Sequence, residues 1–397
     1  MAKQGLADID PRGKRILVRV DFNVPQDETG RITDDRRIEA ALPTIRYLLD
    51  HDAKVILVSH LGRPKGVDPK WSLRPVAERL SELLDRPVPL APDCVGSAAE
   101  AAINTLKPGE ALLLENVRFH PGDEANDPEF AGQLAELGDL YVNDAFAASH
   151  RAHASVVGVA DRLPAYAGAL MLAELEALHR ALDAPRRPLV AIVGGAKVST
   201  KAGVLRHLLP RVDALLIGGA MANTFLRGEG KEVGASLVEE ELTEEAREVA
   251  EMAGDKLTLP VDAVCARSME PGVETRVFSV DAVEPGWMML DIGPATVRLF
   301  SDRLRGAGTV VWNGPPGVFE IPEFSAGTRA VAEAVAGSGA YSLLGGGDTA
   351  AAVDRLGLAD RFSHVSTGGG ATLEYLEGKE LPGVAALTHD ARHVSGG

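Results

Sequence analysis

Cysteine is scarce in this chain, which has only two, Cys94 and Cys265, among 397 residues. They lie far apart in sequence and show neither a metal-ligand nor a redox spacing, so a disulfide framework is not expected and a reducing compartment is favoured. The first ten residues contain no apolar run after their lysine, which argues against a signal peptide. No uninterrupted apolar stretch approaches membrane-spanning length. We therefore expect a cytoplasmic protein.

Positive charge is also in short supply, since 41 lysines and arginines face 57 aspartates and glutamates, for a net charge of −16. This balance disfavours nucleic acid and anionic membranes as partners for the surface as a whole. The length predicts two or three domains, and 45% hydrophobic residues are typical of a soluble globular protein. An anion site in such a protein must concentrate its cations locally.

Two common nucleotide-binding signatures are missing. No Gly-x-x-x-x-Gly-Lys-Ser/Thr loop occurs, and no Gly-x-Gly-x-x-Gly segment follows an apolar strand and opens a helix. A serine nucleophile elbow and the protein-kinase signature set are also absent. Any phosphate site in this chain must therefore be built in another way.

Close to the midpoint, an apolar strand over 190–193 runs into two glycines and then into two lysines. These are Gly194, Gly195, Lys197 and Lys201. Glycines let backbone N–H groups point at an anion, and a helix that starts there would direct its positive end to the same place. Lysines four residues apart would share one face of that helix. The alternative is an ordinary strand-to-helix turn with two solvated lysines.

In the first half, four apolar strands are each followed within a few residues by an arginine or a histidine. The strands begin near residues 15, 54, 111 and 140. The carboxyl ends of parallel strands lie along one edge of an open α/β sheet, where such folds bind ligands. We expect seven side chains to converge there: Asp21, Asn23, Arg36, His60, Arg63, Arg118 and Arg151. Arginine suits phosphate and carboxylate, so a small, multiply anionic substrate is predicted, although any one arginine alone is more often a surface residue.

One loop of this half carries two histidines, His150 and His153, on either side of Arg151. Outside this loop no histidine pair has a convincing metal-ligand spacing. Because an arginine lies between the two histidines, we favour anion contact or loop hydrogen bonding over a metal site.

A helix is predicted between the two halves. Met171, Leu175, Leu178 and Leu182 follow the spacing of one helical face, and the proline-rich segment 183–188 ends the pattern. We interpret this helix as the link between two domains. A core helix within one domain is the alternative.

In the second half, six apolar strands each meet a glycine-rich loop, the loops beginning at 194, 218, 293, 313, 345 and 366. This pattern predicts a second doubly wound parallel sheet whose ligand edge is mostly bare backbone, suited to the phosphates of a nucleotide. Asp348, next to Thr349, offers a carboxylate to a Mg²⁺ ion carried by those phosphates. The alternative role of Asp348 is a helix N-cap.

One arginine-rich half and one glycine-rich half suggest two anionic ligands brought face to face, which fits phosphoryl transfer. No motif supplies an activated nucleophile, so direct in-line transfer without a phosphoenzyme is predicted. Two rival interpretations are a nicotinamide-dependent dehydrogenase, disfavoured by the missing glycine fingerprint, and a non-catalytic two-lobed anion-binding protein, disfavoured by the missing signal peptide.

Eight motifs, in order, give the chain a specific resemblance. They are DFNVP (21–25), SHLGRP (59–64), ENVRF (115–119), SHRAH (149–153), GGAKVSTK (194–201), WNGPPGVFE (312–320), GGGDT (345–349) and STGGG (366–370). Together they resemble the phosphoglycerate kinase family over nearly the whole chain. The resemblance implies reversible transfer of the acyl phosphate of 1,3-bisphosphoglycerate to MgADP, giving 3-phosphoglycerate and MgATP.

The resemblance also implies roles for individual residues. The seven side chains of the first half match the family's phosphoglycerate site. Arg36 and Lys197 match the groups that neutralise the transferring phosphoryl group, helped by the backbone N–H groups of Gly369 and Gly370. Asp348 matches the metal ligand. The nucleotide-side positions implied by the family are Lys201, Gly293, Asn313, Glu320, Gly346, Gly347, Asp348 and Thr349.

The implied fold is α/β, with two doubly wound, Rossmann-like parallel-sheet domains joined by a helix and ligands in the cleft between them. We predict a phosphoglycerate-binding domain over 1–168 plus 382–397, a linking helix over 169–187 and a nucleotide-binding domain over 188–381. The family implies a monomer with a hinge-bending movement. Ala147, Ala148 and Pro316 depart from the residues that are common in the family, which leaves loop detail open.

Overall fold

The computed structural model describes residues 3–389, which form two compact α/β units. The first unit contains residues 3–175 and 380–389, and the second contains residues 176–379. The first boundary falls inside the predicted linking helix. Residues 1–2 and 390–397, which we assigned to the N-terminal domain, lie outside the described residues.

The first unit is built on a five-stranded sheet in which all strands run parallel, in the order β3-β2-β1-β4-β5. The strands are β1 (Arg15–Arg19), β2 (Lys54–Val58), β3 (Ala111–Leu113), β4 (Leu140–Asn143) and β5 (Ala165–Ala167). Its helices are α1 (Arg36–Asp50), α2 (Arg74–Leu84), α3 (Gly96–Ile103) and α4 (Pro128–Ala135), and α5 (Ala169–Leu178) begins in this unit and ends in the second. The strands are almost wholly buried, as expected where helices cover both faces of a parallel sheet.

Helix α1 shows how the sequence positions these elements. Its apolar residues recur every three or four positions, and Ile38, Ile45 and Leu48 are fully buried against the strand side chains Ile16 and Val55. Most of the exposed positions are charged, so the helix lies on the sheet with one face in the core. Its first residue is therefore held at a defined place next to the sheet.

The last described residues of the chain pack on this first unit. A single helical turn, Pro382–Ala385, places Gly383 where its N–H donates to the carbonyl of Ser149 at 2.8 Å. The carbonyl of Gly383 accepts from the side chain of Asn143 at 3.2 Å. A Cβ atom at residue 383 would lie 2.5 Å from Val156 Cγ1, so this contact requires glycine. The polypeptide thus leaves the first unit and returns to it.

The second unit contains two sheets. Its strands are β6 (Leu189–Val193), β7 (Ala214–Ile217), β8 (Leu257–Thr258), β9 (Asp262–Ala266), β10 (Arg276–Ser279), β11 (Met288–Ile292), β12 (Thr309–Asn313), β13 (Tyr341–Gly345) and β14 (His364–Val365). Its helices are α6 (Ala202–Leu208), α7 (Met221–Gly228), α8 (Thr243–Ala253), α9 (Pro294–Leu304), α10 (Ala326–Gly337), α11 (Gly347–Arg355) and α12 (Gly370–Leu376). Six strands form a parallel sheet in the order β14-β13-β12-β6-β7-β8. The predicted doubly wound parallel architecture is thus confirmed for both units.

One strand that we predicted to belong to this parallel sheet lies in another sheet. Strand β11 pairs antiparallel with β9 in a separate three-stranded sheet, β10-β9-β11. Its Met289 packs in a local cluster that includes Trp287 and Cys265, whereas its Ile292 packs in the main core of the unit. An apolar run of this length indicates a buried strand but does not say which sheet buries it.

Among the described residues, no helix combines the length and the apolar character needed to cross a lipid bilayer.

Two carboxyl groups are buried at strand ends and have unusual acidity. Asp144, just after β4, accepts the backbone N–H groups of Leu170 at 2.9 Å and Met171 at 3.2 Å, so it caps the start of α5. Burial raises the pKa of Asp144 to about 7. In the second unit, burial likewise raises the pKa of Asp291 to about 7, although it accepts the N–H of Gly327 at 2.7 Å. Each carboxyl therefore favours its protonated form in the folded protein.

Asp144 makes stability depend on pH. Its pKa rises from 3.8 in the unfolded chain to about 7 in the folded protein, so the folded state binds more protons over that interval. The stability of the folded protein should therefore fall as the pH rises through that interval. Asp144→Asn removes the titration and keeps an oxygen acceptor, so its melting temperature should fall less than that of the wild type between about pH 5 and about pH 8. Calorimetry measures this difference.

The matched control is Asp161→Asn, which replaces an exposed aspartate of the same unit and should follow the wild-type profile. Equal pH dependence in the wild type and the Asp144→Asn variant would contradict the role given to this carboxyl.

Candidate functional site

In the first unit, the predicted anion-binding residues follow the carboxyl ends of successive parallel strands. Asp21 and Asn23 follow β1, and His60 and Arg63 follow β2. Arg118 lies in a 3₁₀ turn after β3, Arg151 follows β4, and Arg36 is the first residue of α1. The strands are parallel and in register, so these loops leave the sheet at the same edge.

Gly62 joins three of these loops. Its N–H donates to Asn23 Oδ1 at 2.8 Å, and its carbonyl accepts from Arg118 Nη1 at 2.6 Å. Gly62 has φ of +63°, and a Cβ atom there would lie 2.1 Å from the ring of Trp71, so only glycine fits. The side-chain amide of Asn23 and the guanidinium of Arg118 are thereby fixed on either side of the loop that carries His60 and Arg63.

Behind this loop lies a buried arginine that we did not select from the sequence. Arg19, the last residue of β1, is 1% exposed; it donates to Ser155 Oγ at 3.0 Å and lies 3.1 Å from His60 Nδ1. Burial and then the charges of Arg19 and Arg118 hold the pKa of His60 well below its usual value. Arg19 has only donors, so Nδ1 of the neutral imidazole accepts and Nε2 carries the proton. That N–H is the group His60 offers to an anion.

Asp123 is the second buried residue that sequence reasoning missed. It is fully buried, and its Oδ1 accepts the N–H of Ser155 at 2.9 Å. Its Oδ2 lies 3.7 Å from Nδ1 of His153. For Arg19 a signal was available, since it is a single arginine inside an apolar strand. No comparable signal marks Asp123, which lies in a loop among other acidic residues.

The other predicted residues of this unit are more exposed and make contacts within their own loops. Asp21 pairs with Arg37 at 2.6 Å, and Arg36 pairs with Asp34 two residues earlier. Arg151 donates to His150 at 3.2 Å, and Arg63 is exposed. The structure thus contains a buried inner group, centred on His60 and Arg118, and several exposed cations around the same sheet edge.

In the second unit, glycine loops meet backbone to backbone. The N–H of Gly194 donates to the carbonyl of Asn313 at 2.9 Å. A Cβ atom on Gly194 would lie 2.4 Å from the carbonyl oxygen of Pro315, and one on Gly314 would lie 2.1 Å from that of Gly194. Pro316 fills the space beside Gly218 in the same way, with 2.6 Å to a Cβ atom placed there. The loops after β6, β7 and β12 can approach this closely only because side chains are missing.

The predicted helical pairing of the two lysines was wrong. Helix α6 begins at Ala202, and residues 194–201 form turns in which the buried Val198 anchors the segment and Thr200 donates to the carbonyl of Lys197. Lys197 is exposed in this loop. Lys201 is half-buried and donates to Asn313 Oδ1, so the side chains of Lys197 and Lys201 lie in different surroundings. Burial lowers the pKa of Lys201, and the carboxylates of Asp348 and Glu377 oppose that effect.

Asp348 is the second residue of α11, whose N-cap is Gly346, so the N-cap alternative for Asp348 was wrong. Its neighbour Thr349 is buried and accepts the N–H of Gly314 at 2.7 Å, which ties α11 to the loop after β12. The carboxylate of Asp348 is exposed and close enough to Lys201 to act on it electrostatically. An exposed carboxylate oxygen fits Mg²⁺, which takes oxygen ligands and usually keeps several waters.

The remaining nucleotide-side and transfer positions lie on other loops of this unit. Gly293 is the N-cap of α9, after the antiparallel strand β11, and its N–H donates to the carbonyl of Asp262 at 3.0 Å. Glu320 is exposed. Gly369, with φ of +51°, is the N-cap of α12, and Gly370 is that helix's first residue. Gly293 therefore follows a strand that is not a member of the parallel sheet, which differs from our prediction.

Comparison with known proteins gives consistent results. The family model described as phosphoglycerate kinase matches residues 6–379. The phosphoglycerate kinase of Moorella thermoacetica is 58% identical over 392 residues, covering 98% of this chain and 100% of that protein. That of Chloroflexus aggregans is 57% identical over 396 residues, covering 98% and 99%. The structure of phosphoglycerate kinase from Coxiella burnetii superposes with a TM-score of 0.90 at 46% identity, covering 97% of this chain and 98% of that one.

The contact between the glycine loops makes a stability prediction. In Gly194→Ala the new methyl group would clash with backbone carbonyls, which no rotamer change relieves. We expect a loss of roughly 1–3 kcal/mol in the free energy of unfolding, measured by urea denaturation. The matched control is Gly337→Ala at the end of α10, where a Cβ atom has nothing within 4 Å. This control should be neutral or slightly stabilising. Equal stability of the two variants would contradict the close loop contact.

Proposed function

The chain belongs to the phosphoglycerate kinase family, and on that premise we propose how its residues carry out the family's reaction. The reaction is the glycolytic, reversible transfer of a phosphoryl group between 1,3-bisphosphoglycerate and ADP. The single observation that carries this function is the match to the family over residues 6–379, with relatives that are 54% to 58% identical.

We propose that phosphoglycerate binds at the strand ends of the first unit, through Asp21, Asn23, Arg36, His60, Arg63, Arg118 and Arg151. Three observations support this. Arg118 and Asn23 are held by Gly62, His60 presents an Nε2 proton, and exposed arginines surround them. Burial lowers the pKa of Arg118, which is an indication of how far this cation has been removed from water. A desolvated cation interacts more strongly with an incoming anion than a solvated one does.

We propose that the nucleotide binds to the glycine loops of the second unit, through Lys201, Gly293, Asn313, Glu320, Gly346, Gly347, Asp348 and Thr349. Support comes from Lys201, which is half-buried against Asn313, and from the bare backbone of the loops around it. Asp348 is the proposed protein ligand of Mg²⁺. When bound, Mg²⁺ would neutralise charge on the nucleotide phosphates.

For the chemical step we propose direct in-line transfer. Arg36 and Lys197 are exposed cations that neutralise the transferring group, and the N–H groups of Gly369 and Gly370 donate to its oxygens. The acyl oxygen–phosphorus bond breaks as the ADP oxygen–phosphorus bond forms, so no protein nucleophile is needed. Rapid-quench capture of a phosphorylated protein on the reaction path is the result that contradicts this step.

We propose the functional domains as 1–168 plus 382–397 and 188–381, with 169–187 as the link. The two ligands are assigned to different domains, so the reaction requires a hinge movement that brings them together in a cleft. We propose that the protein acts as a monomer in the cytoplasm, since glycolytic members of the family work there.

Small-angle scattering tests the hinge movement. With 3-phosphoglycerate and a non-hydrolysable MgATP analogue together, the radius of gyration should decrease, because only the pair of ligands bridges the domains. Either ligand alone serves as the control and should give a smaller decrease. An unchanged radius with both ligands bound would contradict closure, and the same data report the molecular mass.

A coupled assay with 3-phosphoglycerate and MgATP tests the function and the two proposed charge stabilisers. The wild type should form product, and Arg36→Ala or Lys197→Ala should lower kcat by on the order of a hundredfold or more. Both side chains are exposed, so the free energy of unfolding should change little. Matched controls are Arg12→Ala and Lys256→Ala, outside the proposed sites, which should retain wild-type turnover. Absence of ATP-dependent product in the wild type would overturn the function.

A further inference from the structure

A cluster of three possible metal ligands lies in the first unit, outside the proposed substrate site. Asp93, Cys94 and His120 place a carboxylate oxygen, the thiol sulfur and an imidazole nitrogen within 4.8 Å of one another. Within residues 3–389 this is the only group of three or more such side chains at that separation. Asp93 and Cys94 precede α3, whereas His120 ends the 3₁₀ turn Val117–Phe119. The protein fold, and not sequence spacing, brings them together.

The three groups already interact. His120 Nε2 lies 2.7 Å from Asp93 Oδ1, and the backbone N–H of Cys94 donates to the same oxygen at 2.6 Å. The His120 ring stacks on Phe130 at 5.3 Å between ring centres, which fixes the plane of the imidazole. Ordered outer contacts of this kind orient histidine in metal sites.

We propose that Asp93, Cys94 and His120 form a binding site for a divalent transition metal of borderline softness, with Zn²⁺ as the reference ion. Thiolate, imidazole and carboxylate are the three ligand types that Zn²⁺ takes in proteins. Three protein ligands leave one coordination position for water. The inference goes beyond the proposed function, because none of the three residues is assigned there to substrate, nucleotide or transfer.

The separations suit an ion of this size. With zinc–ligand distances of about 2.0–2.3 Å and tetrahedral angles, two ligand atoms on one ion lie roughly 3.3–3.8 Å apart. The three ligand atoms lie within 4.8 Å of one another, so side-chain adjustments on the order of an ångström bring them to those separations. On binding, the hydrogen bond between Asp93 and His120 is replaced by two bonds to the ion.

One ligand of the site is buried, and another is partly exposed to solvent. Cys94 is fully buried, whereas Asp93 is half-buried and lines a groove of about 1170 Å³ together with Trp71 and Phe119. An ion can approach through the groove and meet the carboxylate first. The sulfur then supplies a bond that bulk water does not reach.

When the metal ion binds, the site releases a proton. The buried Cys94 side chain must lose its thiol proton before its sulfur can bind the ion. The S–H bond breaks as the sulfur–metal bond forms, the proton goes to water, and no electron is transferred. The apparent affinity should therefore increase with pH.

Cobalt titration of the full chain, freed of metal with a chelator and without nucleotide, tests the site. Co²⁺ is the probe because a cobalt–thiolate bond gives a charge-transfer absorption in the near ultraviolet, which oxygen-only sites on an acidic surface do not give. The wild type should show this band at one equivalent, and Zn²⁺ should remove it. Cys94→Ser should abolish the band. Cys265→Ser, which changes the other buried cysteine, should keep it.

Two further variants keep the test sharp. His120→Gln and Asp93→Asn should each weaken cobalt affinity by roughly tenfold or more, whereas His179→Gln, which changes an exposed histidine in the turn after α5, should not. Circular dichroism without metal checks that every variant is folded. Absence of the band in folded wild type, or its persistence in Cys94→Ser, overturns the proposal. Kinase activity does not enter either readout, so a failure here is separate from a failure of the proposed function.

Discussion

Parallel pairing is the constraint on which the rest of this structure depends. A parallel sheet covered on both faces must use apolar strands, because neither face is open to water. Polar chemistry is then confined to the loops, and the parallel direction brings one set of loops to one edge. Both units follow this rule with different residues: arginine, asparagine and histidine in the first, and glycine in the second.

The edges of the two parallel sheets differ in which residues carry their positive charge. In the first unit, Arg19 and Arg118 are taken out of water and held by hydrogen bonds, leaving positive potential near His60. In the second unit, the glycine backbones approach one another closely and Lys201 is a half-buried cation. In a chain with a net charge of −16, three cations at these edges, Arg19, Arg118 and Lys201, are thus buried or partly buried.

Much of this could be predicted from the sequence, and the failures have physical reasons. Strand ends at His60, Arg118 and Gly194 were predictable, since an apolar run that stops at a polar or glycine residue indicates both the strand and its edge. The sheet that contains β11 was not, because burial does not reveal the pairing partner. The helix expected over Lys197 and Lys201 did not form, since Val198 is buried and holds the segment in turns.

Residues that act through other residues were the hardest to predict. Arg19 contacts His60 from behind, and Asp123 holds the backbone of Ser155, so neither belongs to a recognisable motif. The same holds for Cys94: the spacing of the cysteines gave no indication of a metal site, yet folding brings His120 to Cys94 and its neighbour Asp93. Local patterns report periodicity and turns, whereas such contacts depend on loops far apart in the chain.

The return of residues 380–389 to the first unit has a consequence for how the chain acquires its structure. During synthesis, residues 176–379 emerge as one uninterrupted stretch and can complete their own unit as soon as they are made. The first unit has its five strands by residue 167, but Asn143 and Ser149 meet Gly383 only when the last part of the chain appears. The segment that is synthesised first is therefore the last to be finished, and loss of the final residues would leave an early-made unit incomplete.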